Sequence, residues 1–104
     1  MEPKIFPLAE PLNTHKGPLT ELALKMPRGR AFTRFGTPWV ITREGEGDSA
    51  RINVTFNPKV MFKFVADMSG VDELSLENIM GCDVDPLFWA VFGHVNARPQ
   101  MSSI

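Results

Sequence analysis

The chain has 104 residues, of which 43% are apolar and 22% are charged, and its formal net charge is -1. These values are typical of one small globular domain, so residues 1–104 are expected to form a single domain. A nearly neutral chain has no overall field that attracts nucleic acid or an anionic membrane. The longest apolar run, at 87–93, is far shorter than a membrane span. With no apolar signal segment at its start and one cysteine, Cys82, the chain is expected to act in a cytoplasm.

The charge is unevenly distributed along the chain. Residues 1–43 carry seven basic and three acidic side chains, a net charge of +4. Residues 44–104 carry four basic and nine acidic side chains, a net charge of -5, with no basic residue between Lys63 and Arg98. The sequence therefore predicts a basic half and an acidic half within one small domain.

The first segment, residues 4–26, is predicted to be a β-hairpin. Leu22, Leu24 and Met26 alternate with polar or small residues, which is the period of a strand with one buried face. Prolines recur in the preceding arm, and because proline donates no ladder hydrogen bond, that arm is predicted to be an edge strand. Asparagine, glycine and proline at 13–18 supply the turn.

A second hairpin is predicted at 38–56, after a single helical turn within 28–37. Its arms are rich in β-branched and aromatic residues. Its polar, glycine-rich loop at 44–50 is expected to be mobile. Ile52 and Phe56 share one parity of the second arm, so we expect that face to be buried and the other to be solvated.

Three helices are predicted within 58–96, which makes the fold α+β, with two hairpins followed by helices. Asn57 suits an N-cap, and Pro58 suits the first helical position, where a missing N–H has no consequence. The first helix then has an apolar stripe at helical spacing, formed by Met61, Phe64, Val65 and Met68.

The second helix is predicted to be short, starting at Ser75 and ending at Gly81. Asp85 and Pro86 repeat the pattern of a cap followed by proline, so the third helix is predicted to begin at Pro86. Residues 97–104 are expected to be a flexible tail.

The residues that usually carry catalysis or bind metals are few and scattered. His15 and His94 are the only histidines, and neither has a cysteine, histidine or carboxylate at metal-ligand spacing. Cys82 has no base close in sequence to activate it, and a small, partly buried side chain is the simpler interpretation. Asp83 and Asp85 lack the glycine turn and later glutamate of a calcium loop. We therefore predict no enzymatic activity, no metal site and no cofactor.

Basic side chains cluster within 25–43, with aromatic residues among them and no acid between Glu21 and Glu44. The cluster consists of Lys25, Arg28, Arg30, Arg34 and Arg43. It is the strongest nucleic-acid feature of the chain. A solvated face, or a surface that meets an acidic protein, explains it as simply.

Two blocks, residues 8–27 and 68–95, each contain short motifs in a defined order. The first has a proline–apolar pair, a glycine turn and an alternating strand that ends in a basic residue and proline. The second has a helix that ends in Ser-Gly, a Leu-Ser helix start, a short apolar helix, an aspartate and a last apolar helix. The residues concerned are Pro11, Gly17, Lys25 and Pro27, then Ser69, Gly70, Leu74, Ser75, Ile79, Asp83 and Leu87. In order and spacing, these blocks resemble the bacteriophage tail assembly chaperones of contractile-tailed, Mu-like phages, whereas residues 37–56 depart from that family's pattern.

The resemblance implies a function that composition does not reveal. Such chaperones bind the long tape measure protein in the host cell cytoplasm and keep its hydrophobic helices soluble until tail tube protein replaces them. They are absent from the mature virion, and many also exist as a longer form made by ribosomal frameshifting. Two alternatives stay open: a structural virion protein of the neck or tail-completion type, and a small regulator that binds nucleic acid through residues 25–43.

The last helix has more large apolar side chains than one core-facing stripe requires. Leu87, Val91 and Val95 can point inward on one side, which leaves aromatic residues around the other. With one residue from the far face of the first helix, these form the predicted partner-binding set: Phe62, Phe88, Trp89 and Phe92. The alternative is that all four belong to the core.

Copies of the chain are expected to associate weakly, because one small chaperone cannot cover a long rod. Basic and acidic patches on opposite sides of the molecule would give a head-to-tail contact. The predicted self-association set is Lys25, Arg28, Arg30, Arg34, Asp72, Glu73, Glu77 and Asp83. The alternative is that these charges are solvated or pair within one molecule.

Overall fold

The computed structural model describes residues 2–97 and confirms the predicted α+β fold with two hairpins and helices. In chain order the elements are β1 (Lys4–Thr14), β2 (Gly17–Leu24), α1 (Gly29–Phe35), β3 (Trp39–Glu44), β4 (Arg51–Phe56), α2 (Pro58–Ser69), α3 (Glu73–Leu76) and α4 (Gly81–Asn96). The hairpins β1–β2 and β3–β4 form two separate antiparallel sheets. A 3₁₀ turn at Gly47–Ser49 lies in the loop that was expected to be mobile. Beyond residue 97, the predicted tail lies outside the described residues.

The first hairpin has a register change in the middle of β1. Pro7 pairs with Glu21, but the next paired residue of β1 is Leu12, which faces Leu19. The extra residues at 8–11 therefore leave the ladder as a bulge. Backbone N–H groups in a bulge lose their strand partners and must find others. One of them, the Ala9 N–H, donates to the Asp83 carboxylate on α4.

The second hairpin, whose outer part is exposed, packs on the core through its base. Trp39 pairs with Phe56 there, and Trp39 is buried while Phe56 is partly buried. Farther out along β4, the side chain of Ile52 is 70% exposed. The expectation that the whole Ile52–Phe56 face is buried is therefore wrong, because the aromatic side chains of α4 contact the hairpin at its base.

Helix α2 begins and ends where the sequence predicts. The Asn57 side-chain oxygen accepts a hydrogen bond of 3.3 Å from the Val60 N–H, and Gly70 ends the helix in the left-handed region, with φ of 77°. The predicted apolar stripe is buried throughout. Helix α3 begins slightly earlier than predicted, because Asp72 rather than a later residue accepts the capping hydrogen bond from the Ser75 N–H.

Helix α4 begins five residues before the predicted start. Gly81 is its first residue rather than the end of α3, and Pro86 lies inside the helix. The Asp83 N–H donates to the Met80 carbonyl at 2.9 Å, which forms a helical turn ahead of the proline. An acid in this first turn also suits the positive end of the helix dipole. Asp85 is therefore not the N-cap that the sequence suggested.

The buried apolar side chains form one cluster between the first hairpin and the helices. Its members are Phe6, Leu12, Leu22, Leu24, Ala31, Trp39, Met61, Phe64, Val65, Met68, Val71, Leu76, Leu87, Phe88 and Val91. The Lys25 N–H donates to the Met68 carbonyl at 3.0 Å, which ties the end of β2 to the end of α2. Within residues 2–97, no helix is long and apolar enough to cross a lipid bilayer.

Candidate partner-binding surface

Aromatic side chains of α4 surround Phe56 at the base of the second hairpin. Its ring centroid lies 5.7 Å from that of Phe88, 5.0 Å from that of Trp89 and 6.0 Å from that of Phe92. Most of these rings meet edge to face, the arrangement that aromatic pairs prefer. Phe62 of α2 joins the same network through Phe88, at 5.5 Å. The structure therefore brings together all four residues of the predicted partner-binding set.

These four residues differ in how much of each side chain a partner could reach. Phe88 is only 3% exposed and belongs to the core, so it cannot contact a partner directly without unfolding. Trp89 is 51% exposed, and Phe62 and Phe92 are partly buried. Of the predicted set, Trp89 is thus the principal accessible contact, with Phe62 and Phe92 beside it.

The accessible apolar area continues from α4 onto the second hairpin. In the antiparallel register, Ile41 faces Val54 and Ile52 lies one step farther out, on the same face as Phe56. Ile41 is 52% exposed and Ile52 is 70% exposed. We call this area the apolar surface, which comprises Trp89, Phe92, Phe56, Val54, Ile41 and Ile52. The sequence pattern assigned Ile52 and Phe56 to a buried face, so the hairpin residues were not identified as contacts.

A second depression lies between α2, α3 and the start of α4, and we call it the α2–α3 groove. It has a volume of about 530 Å³. Its apolar lining includes Phe62, and charged residues of opposite sign lie on its two sides. The lining residues are Pro58, Lys59, Phe62, Lys63, Glu73, Glu77, Ile79 and Val84.

The predicted basic residues do lie together. Lys25, Arg28, Arg30 and Arg34 line one depression of about 420 Å³, in which Asp67 is also present. Arg34 additionally places its guanidinium 5.7 Å from the ring centroid of Phe35. The structure thus gathers the basic half of the predicted self-association set into one patch.

Two of the four predicted acidic contacts are already engaged inside the molecule. Asp83 is buried, and its Oδ2 accepts a hydrogen bond of 2.9 Å from the Ala9 N–H in the β1 bulge. The Asp72 carboxylate accepts from the Ser75 hydroxyl at 2.8 Å and lies 2.9 Å from His15 Nδ1. These hydrogen bonds, that from Ser75 foremost, lower the pKa of Asp72 to about 2.

The basic and acidic sets are also not fully separated on the surface. Arg34 lines the same depression as Asp72 and Glu73. Asp83 must therefore be removed from the self-association set, since its carboxylate faces the interior, whereas Asp72 stays exposed and ionised although it is hydrogen-bonded within the molecule. Head-to-tail association stays a prediction, and its acidic contacts are now Asp72, Glu73 and Glu77.

The remaining candidate residues for chemistry lie apart. Cys82 is exposed, which corrects the expectation of a partly buried side chain. The Nε2 atom of His94 is buried without a hydrogen-bond partner. In the part of the chain that the structure describes, no three histidine, cysteine or acidic side chains are grouped so as to hold a metal ion.

The chain was compared with known proteins at three levels. No protein-family model matches it, and neither curated proteins nor solved structures gave a significant match.

Proposed function

We propose that the protein is a phage tail assembly chaperone that binds the tape measure protein and keeps it soluble during tail assembly. The proposal combines the order of motifs in residues 8–27 and 68–95 with one structural observation. That observation is the apolar surface, in which the half-exposed Trp89 continues onto the exposed isoleucines of the second hairpin. Contiguous apolar area of this kind on a small protein is typical of a protein-binding site.

The binding mode that fits this surface is contact with the apolar stripe of an amphipathic helix. A tape measure protein supplies such helices along a rod, and they aggregate if nothing covers them. Trp89 provides a large, rigid side chain of the type that dominates binding energy at protein interfaces. Ile41 and Ile52 widen the contact beyond α4. The chaperone thereby replaces water along the apolar stripe without any chemical step.

The same proposal covers location and partners. The protein acts without enzymatic activity or cofactor in the host cell cytoplasm and leaves before the virion is complete. Its partners are the tape measure protein, a frameshifted longer form of the chain and tail tube protein, which takes over the helices. Membrane and nucleic acid are not among them.

The test is co-expression of the chain with a phage tape measure protein, followed by affinity capture. Trp89→Ala is expected to weaken the complex by about 2 kcal/mol, roughly thirtyfold in Kd. Ile41→Ser should weaken it as well. The matched control is Val40→Ser, because Val40 is 60% exposed but lies on the opposite face of the same strand.

The outcomes separate the proposal from its alternatives. Binding that depends on Ile41 but not on Val40 supports it. A tape measure protein that stays insoluble in the presence of the chain overturns it. Mass spectrometry that finds the chain in purified particles at fixed copy number indicates the structural virion protein instead.

A further inference from the structure

The two sides of the α2–α3 groove carry opposite charges. Lys59 and Lys63 are four residues apart on α2, and Glu73 and Glu77 are four residues apart at the start and C-cap of α3. All four side chains are exposed. Among residues 2–97, no ion pair joins the lysine side to the glutamate side. The charges are therefore available to a molecule that enters the groove.

The floor between these charged rims is apolar. Phe62, Ile79 and Val84 lie partly buried along it. The volume of about 530 Å³ is within the range of pockets that bind apolar ligand groups. Through the contact between Phe62 and Phe88, the floor is continuous with the aromatic network beneath the apolar surface. The groove thus extends the area that a bound partner can cover.

We propose that the α2–α3 groove binds an amphipathic helix of the partner that carries acidic residues along one flank of its apolar stripe and basic residues along the other. This inference rests on the proposed function, and it adds the chemistry of the bound segment. A helix fits better than a strand, because the groove walls are helices and offer no free strand edge for backbone pairing. Acids four residues apart on the partner match the spacing of Lys59 and Lys63.

The unequal rims also fix the direction of the bound helix. Turning a helix end for end in the groove exchanges its two flanks. The acidic flank would then face Glu73 and Glu77, and the basic flank would face the lysines. Only one direction therefore gives attraction on both sides. The groove should bind its helix in a single N-to-C orientation.

The test uses a fluorescent synthetic helix of roughly 20 residues, long enough to be helical. It carries a leucine stripe with glutamate on one flank and lysine on the other, and a paramagnetic label at one end. Reversing one rim with Lys59→Glu and Lys63→Glu is expected to weaken binding roughly tenfold, about 1.4 kcal/mol, since two exposed attractions become repulsions. The matched control is Lys4→Glu with Lys16→Glu, which changes the net charge equally at exposed sites outside the groove.

A second variant tests direction. Exchanging both rims, with Glu73→Lys and Glu77→Lys added to the lysine reversals, should restore the affinity. In NMR spectra of the protein, the signals broadened by the paramagnetic label should then move from one end of the groove to the other. At about 1 M salt the Debye length is about 3 Å, so exposed charges are screened and the difference in affinity between the variants should shrink.

The results distinguish this inference from the proposed function. If reversing the lysine rim weakens probe binding no more than the control does, while Trp89→Ala still weakens the tape measure complex, the groove inference is overturned and the proposed function stands. Restored affinity without reversal of direction also overturns it. If neither variant weakens the tape measure complex, both proposals fail.

Discussion

The buried carboxylate of Asp83 is expected to hold the β1 bulge to α4, and removing it should destabilise the fold. Its Oδ2 lies 2.9 Å from the backbone nitrogen of Ala9, a residue 74 positions earlier in the chain. Because Ala9 lies in the bulge at 8–11, it has no ladder partner on β2. Asp83→Ala therefore leaves a backbone donor without its acceptor near the core.

The size of this effect follows from the type of bond. A hydrogen bond to a charged group contributes about 1.5–3 kcal/mol, and an acid in the first turn of a helix adds roughly 0.3–1 kcal/mol. Asp83→Ala should therefore lower the free energy of unfolding by about 2–4 kcal/mol. Asp83→Asn keeps a neutral oxygen acceptor and should recover about 1 kcal/mol of that loss.

Urea unfolding followed by circular dichroism measures these differences, since small domains usually unfold in two states. The control is Asp85→Ala, an exposed acid two residues farther along the same helix, which should change stability by less than about 0.5 kcal/mol. Equal effects of Asp83→Ala and Asp85→Ala would refute the reasoning. So would an Asp83→Ala variant that keeps full stability but loses association between copies, because the carboxylate would then act at the surface.

Two further predictions concern stability. Phe88→Ala should cost about 3–5 kcal/mol in chemical denaturation because it empties part of the core, whereas Trp89→Ala should cost clearly less; equal costs would contradict the separation of core from surface. The pKa of Asp72 in the fold, about 2, lies below the value of about 3.9 in an unfolded chain. Its contribution is therefore complete above about pH 4 and disappears as the pH falls through about 2. Thermal unfolding of the wild type and Asp72→Asn should differ most above pH 4 and converge near pH 2, and a constant difference would contradict this.

The elements of the fold could be predicted wherever the information is local. The cap at Asn57, the glycine end at Gly70 and the apolar stripe between them define α2 without reference to the rest of the chain. The start of α4 could not be predicted, because Pro86 is a strong local signal for a first helical position. What overrides it is the turn before the proline and the contact of Asp83 with a bulge at the other end of the sequence.

The candidate site was predictable on α4 and not on the hairpin. An excess of aromatic residues on one helix indicates that some must face outward, and Trp89 does. Alternation along 52–56 shows which side chains share a face, but it contains no information about what covers that face. Here Phe56 and Val54 are partly covered, and Ile52 extends beyond the core. Exposure therefore depends on how far α4 reaches, which is a property of the tertiary structure.

Under the proposed function, the exposed fraction of each apolar side chain limits the binding free energy that this side chain can contribute. Complete burial of a large apolar side chain is worth roughly 1.5–3 kcal/mol. Since Trp89, Ile41 and Ile52 are 51%, 52% and 70% exposed, a partner gains about 1–2 kcal/mol from each. Ordering two molecules into a complex costs at least about 4 kcal/mol, so one copy on one helix binds weakly.

Under the proposed function, weak individual binding would let tail tube protein displace the chain. The α2–α3 groove adds contacts, but Glu73 and Glu77 can serve either the partner helix or the basic patch of a neighbouring copy, and not both at once. Under the proposed function, copies along a tape measure rod are therefore held mainly by the rod, and of the predicted acidic contacts only Asp72 stays available to a neighbouring copy. Displacement of the chain from one segment of the rod would then release one copy and leave the neighbouring copies bound.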